Sequence, residues 1–174
     1  IDTTQLVDRL SAALSTLPAV TAPLALPETE PRPSTERSIT RSADKQQAHI
    51  VLGFQGVTLD NPDRYALKVL DTILSRQGGR LFYEVREQRA LAYSVSAFNV
   101  EGLAPGVFGI YLGTDPSNID EAISTTQTEL SRLRNETVGA EELEQAKKYM
   151  TGSYEISLQS NGAQSEELVF NELY

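Results

Sequence analysis

The sequence has no cysteine, no tryptophan, one methionine and one histidine in 174 residues. Without cysteine there is no disulfide scaffold, no thiol nucleophile and no cysteine-ligated zinc. The single histidine, His49, is as informative. A catalytic zinc takes about three protein ligands, histidine most often among them. His49 is followed by Ile50, Val51, Leu52 and Gly53, so neither HxxEH nor HxxE is present. The metal-ligand expectation for this chain is therefore none, with His49 read as a half-buried strand histidine. Hydrolytic triads fail on the same supply, and no GxSxG elbow exists. The Gly78–Gly79 pair lacks the other glycines and the Lys-Ser/Thr of a phosphate loop. No bound cofactor is expected.

Other classes are excluded by distribution. Net charge is −9, with Lys and Arg scattered rather than striped, which argues against a nucleic-acid partner. No apolar run approaches the ~20 residues of a membrane span. The expectation is a soluble protein, cytoplasmic or periplasmic if bacterial, with the compartment itself unknown. Ile1 and Tyr174 both read as cuts within a longer protein.

What is present divides into three expected segments. Residues 3–16 have helical spacing, with Leu6, Leu10, Ala13, Leu14 and Leu17 near one face. Residues 18–36 hold most of the eight prolines and read as an extended linker. The main domain runs over 37–174. In it, Ser38–Ser42 is a possible strand and Gln47–Gln55 a buried one. A helix capped by Asp60 or Asn61 follows, its core face carrying Tyr65, Ala66, Val69, Leu70, Ile73 and Leu74. A second helix covers Arg80–Gln88. Strands are expected over Leu91–Val100 and Gly106–Gly113, joined by a hairpin loop. Asp115 and Pro116 open a helix whose inward face carries Ile119, Ala122, Ile123, Thr126, Leu130 and Leu133. Thr137 is expected to cap the next helix, whose early Glu141 and Glu142 suit the helix dipole and which continues toward Tyr174. The pattern is α+β: a largely antiparallel sheet covered on one face by helices.

One stretch stands apart: residues 78–95, GGRLFYEVREQRALAYSV. It reads as a glycine hinge, an amphipathic helix, a turn and a strand. Arg86 falls late in the helix and Tyr93 early in the strand. On the residues alone, Arg86 belongs to a charged helix face with Glu84, Glu87 and Arg89, and Tyr93 is a strand aromatic.

The stretch resembles the second-half motif of the pitrilysin/insulinase family of zinc metallopeptidases, including the mitochondrial processing peptidase group. Arg80, Leu81, Phe82, Arg86, Leu91, Tyr93 and Val95 occupy that motif. Val85 replaces a common leucine and Ala92 a frequent glycine. The strand AHIVLGFQG and the helix TVGAEELEQAKKYMTG are also similar to family elements. The resemblance implies one half of a clamshell built from two similar α+β halves. Residues 1–17 would then be the last helix of a preceding homologous domain, and 37–174 the non-zinc domain, truncated at its C-terminus. It further implies that Arg86 and Tyr93 grip a peptide substrate. The partner would be a homologous HxxEH-bearing domain or subunit, holding the zinc of the complete enzyme, and the fragment alone would be inactive. The other reading the resemblance leaves open is a non-catalytic structural or assembly subunit of the same fold, like the respiratory core proteins.

Overall fold

A computed structural model describes residues 2–18, 28 and 30–174. Much of the proline-rich segment, residues 19–27 and 29, lies outside the described residues. The first helix, α1, spans Thr3–Leu14, and the Asp2 carboxylate caps it by accepting from the amides of Thr4 and Gln5. Its Leu6, Leu10 and Leu14 are exposed. The expected strand at Ser38–Ser42 is not formed; the segment is irregular and exposed. It alternates residue types, but none of the described residues pairs with it, and a strand needs a ladder partner for its backbone.

Three strands build the sheet: β1 Ala48–Gln55, β2 Ala92–Val100 and β3 Val107–Thr114. Their order is β1-β3-β2 and both pairings are antiparallel. The β2–β3 hairpin forms as the sequence suggests, with Glu101–Gly106 as its loop. One face of the sheet carries Phe108, Ile110 and Leu112 from β3 and Ala92, Val95 and Ala97 from β2, all buried.

Helix α2, Arg64–Ser75, packs on β2 and on a later helix, α4, Ala140–Ser157. Only Ile73 and Leu74 of α2 are fully buried. Tyr65, expected in the core, is exposed, its ring lying beneath the Arg64 guanidinium. Leu67 joins Leu70 against the core instead. The N-cap is Asp63, without a side-chain cap bond, rather than Asp60 or Asn61; Asn61 caps Asp63 one turn earlier by accepting from its amide.

The second helix is present but wound differently. After one α-helical step at Arg80 and Leu81, residues Phe82–Gln88 form a π-helix. Leu81, Val85 and Leu91 anchor this turn in the core, and burying a leucine of this kind stabilises the fold by about 2 kcal/mol.

Asp115 accepts from the Ser117 amide and starts a single 3₁₀ turn, which runs into α3, Ile119–Asn135. Ala122 and Thr126 face inward as expected, and Leu130 and Leu133 pack against the core; Glu129 is buried as well. Helix α4 covers Ala140–Ser157. Its N-cap is Gly139, not Thr137, and no side chain caps it. The helix does not run on to Tyr174. It stops at Ser157, and α5, Asn161–Leu173, begins anew with the Ser160 hydroxyl accepting from the Ala163 amide. The result is an antiparallel sheet with helices on one face, the α+β arrangement the sequence indicates. No helix among the described residues is long and apolar enough to cross a membrane.

Candidate functional site on the open sheet face

The hinge before the π-helix is set by two glycines with different duties. Gly78 has a φ of +82°, a left-handed conformation open to glycine at little cost. Gly79 is held by crowding: a Cβ there would lie 2.8–2.9 Å from the carbonyl oxygens of Ile73, Leu74 and Arg76. Next comes Arg80. Its Nε and Nη2 donate to the two carboxylate oxygens of Glu142 at 2.8 and 2.6 Å. This two-pronged pair clamps the start of the π-helix to α4. The hydrogen bonds from Arg80 hold the Glu142 carboxyl below its ordinary range, against the opposing effect of burial, and Glu142 in turn raises Arg80.

Arg86 lies in the last turn of the π-helix and is exposed. Its guanidinium stands 5.0 Å over the Phe82 ring and 3.9 Å from the Glu87 carboxylate. Both contacts are local, so the cation is tethered loosely and remains accessible. The chain then turns through Ala90, whose φ is +51°, and the Leu91 amide donates back to the Val85 carbonyl at 2.8 Å.

Tyr93 owes its position to a bulge. Ala92 pairs with Thr114 and Ser94 with Gly113, so Tyr93 is the surplus residue between them. Counting back by two from buried Ala97 and Val95 would send residue 93 into the core. The bulge breaks that count: Ala92 turns inward, and Tyr93 and Ser94 both face out, Tyr93 with 66% of its surface exposed. Re-aiming one side chain is the usual consequence of a bulge. The buried Thr114 hydroxyl donates to the Leu91 carbonyl just ahead of it, fixing the chain where the pairing slips.

The face of the sheet away from the helices is open. Three cross-strand rows run over it, pairing His49, Gly113 and Ser94, then Val51, Tyr111 and Ser96, then Gly53, Gly109 and Phe98. The Phe98 ring lies where a Cβ on Gly109 would stand. Tyr111 leans along the face so that its hydroxyl shares a 2.7 Å hydrogen bond with His49 Nδ1. Tyr93 lies beside this face at the bulge, and both Tyr93 and Arg86 are solvent-exposed. His49 is therefore an exposed strand residue paired to Tyr111, more open than the half-buried histidine expected from sequence. The Tyr111 pairing and the polar row at Gly113 escaped the sequence reading. The visible signal is the Gly109, Tyr111, Gly113 alternation in β3.

The arrangement is an α+β domain whose helices cover one face of an antiparallel sheet and leave the other face open. The peptidase M16 inactive domain matches residues 1–150, and the chain belongs to that family. It is 34% identical over 145 residues to the uncharacterized zinc protease YmxG of Bacillus subtilis, covering 83% of this chain and 35% of that protein. It is 30% identical to the uncharacterized zinc protease SCO5738 of Streptomyces coelicolor, covering 99% of this chain and 39% of that protein. The crystal structure of a peptidase M16 inactive domain from Pseudomonas fluorescens superposes with a TM-score of 0.68 at 28% identity, over 87% of this chain and 36% of that one. The chain thus spans well under half the length of these relatives.

The relatives' names raise zinc. Among the described residues, no group of three or more His, Asp or Glu side chains is placed to hold a metal ion. The one histidine has its Nδ1 committed to Tyr111. Among the described residues, then, the donors present do not assemble a zinc site.

Proposed function

We propose that this chain is the substrate-gripping, non-zinc half of a zinc metallopeptidase that hydrolyses peptides, with Arg86 and Tyr93 as its contribution to the active site. Zinc would belong to a homologous HxxEH-bearing domain or subunit. On this reading, residues 1–17 end a preceding homologous domain, 18–36 are the linker, and 37–174 form the gripping domain.

The observation that carries the reading is the bulge at Tyr93. It costs the sheet one ladder position and leaves an aromatic ring in solvent. A feature of that kind is expected where a side chain serves a ligand. The π-helix preceding it is a second local irregularity of the sort found at functional sites.

Each residue has a role suited to its chemistry. Arg86 presents a planar fork of donors to a carbonyl or carboxylate oxygen of a bound peptide. Tyr93 carries a single O–H at the end of a rigid ring. Placed against the scissile carbonyl, that O–H donates to the oxygen as it gains negative charge, stabilising the tetrahedral oxyanion. An extended peptide can also pair with a sheet edge, which gives affinity with little dependence on sequence.

The test is kinetic, on the complete protein. Arg86→Ala should raise KM for peptide and lower kcat/KM by about tenfold or more, the loss of one charge-assisted contact. Bound zinc should stay at the wild-type level. Wild-type kcat/KM in this variant would remove Arg86 from the site.

A further inference from the structure

We infer that the row across Gly113 is a second peptide-binding point, at which Gln47, Ser94 and Tyr111 receive a main-chain carbonyl oxygen of an extended peptide; this deepens the gripping role proposed above and rests on it. The cluster is built from all three strands. Were Gly113 to carry a Cβ, that atom would lie 2.8 Å from Gln47 Nε2, 2.8 Å from Ser94 Oγ and 3.3 Å from Tyr111 Oη. Three polar groups therefore converge on one small volume, and they do so because residue 113 has no side chain. Tyr111 is held over the glycine by its 2.7 Å hydrogen bond to His49 Nδ1. Gln47 Nε2 and Ser94 Oγ keep their hydrogens unspent among the described residues.

The chemistry selects the ligand. The groups at the cluster are an amide and hydroxyls, and none of the three is charged. Neutral donors converging on one point suit a neutral oxygen acceptor rather than a carboxylate, which would call for a cation. Main-chain carbonyls are the neutral acceptors every peptide repeats. Position ties the cluster to the gripping pair. Ser94 follows Tyr93 directly, and the bulge turns both to the same open face. A peptide strand lying across this face would meet Tyr93 and the Gly113 row in succession, its carbonyls recurring at about 3.3 Å per residue.

The test measures binding rather than turnover, so that it stands apart from the kinetics above. The probe is a short fluorescein-labelled peptide of Ala, Ser, Leu and Arg. Its Kd for the complete protein is read by anisotropy in wild type, Gly113→Ala, Ser94→Ala and Tyr111→Phe. The last two remove single atoms from solvent-facing side chains and guard against a folding defect in the first. Each variant should weaken binding by about 3- to 10-fold, the loss of one neutral hydrogen bond. In wild type, a single thioamide, a weaker acceptor than an amide carbonyl, should weaken binding at one peptide position only. That penalty should vanish in Ser94→Ala or Tyr111→Phe. Wild-type Kd in all three variants overturns the inference, as does a thioamide penalty equal at every position. If the variants bind normally while Arg86→Ala still impairs turnover, the second binding point falls and the gripping pair stands.

Discussion

Tyr93 is exposed because of one surplus residue, and the positions around it are tuned to keep that residue in place. Thr114 is wholly buried, and its hydroxyl donates to Leu91 next to the slip in register. Gly79 secures the other end of the motif. A methyl at 79 meets three backbone carbonyls at under 3 Å, and backbone cannot swing aside as a side chain can. Gly79→Ala should therefore destabilise the fold by about 1–3 kcal/mol, the range for overpacking a tight site. Chemical denaturation would show this as a lower midpoint at unchanged slope. A wild-type midpoint would mean that the hinge has room. The family resemblance was legible at this scale, because GGRLFYEVREQRALAYSV is a local pattern. The exposure of Tyr93 was not. Alternation with Val95 and Ala97 points residue 93 into the core, and a bulge carries no signature in residue type alone.

Between elements, the Arg80–Glu142 pair is the main polar tie from the π-helix to α4. Sequence alone cast Glu142 as a helix-dipole acid, since its partner lies 62 residues away and periodicity has no reach over that distance. The same separation of 62 residues hid His49 from Tyr111. Elements themselves were read more reliably: β1, α2, β2, β3 and α3 fall close to their expected spans, because each has a strong local period. The failures were at ends and partners. Ser38–Ser42 has strand-like residues and no ladder, and α4 ends at Ser157 where an extension toward Tyr174 was expected.

The pair also fixes a pH response. Glu142 titrates below its unfolded value because Arg80 donates to its charged form. Its contribution is therefore complete above the ordinary glutamate range and is lost as pH falls through the lowered folded value. Arg80 is raised and stays charged throughout. Wild-type stability should decline on acidification through that window, and Glu142→Gln should flatten the decline. Removing the clamp by Arg80→Ala should cost about 1–2 kcal/mol, reduced from a fully buried pair by partial exposure to water. An acid profile identical in Glu142→Gln and wild type would show that the pair carries none of it.

For the molecule as a whole, the sheet separates two kinds of surface. Helices α2 and α3 and the π-helix bury one face, and the opposite face keeps Tyr93, Ser94, His49 and Val51 in solvent. The family's zinc-protease relatives are far longer than this chain, and the proposed role places a bound peptide against the open face. The most direct measurement of the central claim is kcat and zinc stoichiometry of the complete protein carrying Tyr93→Phe. The variant removes one hydroxyl and leaves the ring. Loss of an oxyanion donor should lower kcat by roughly 100-fold, the scale for such a contact, with zinc content equal to wild type. Undiminished kcat, or a loss of zinc in step with activity, would contradict the assignment of Tyr93 to the grip on the reacting peptide.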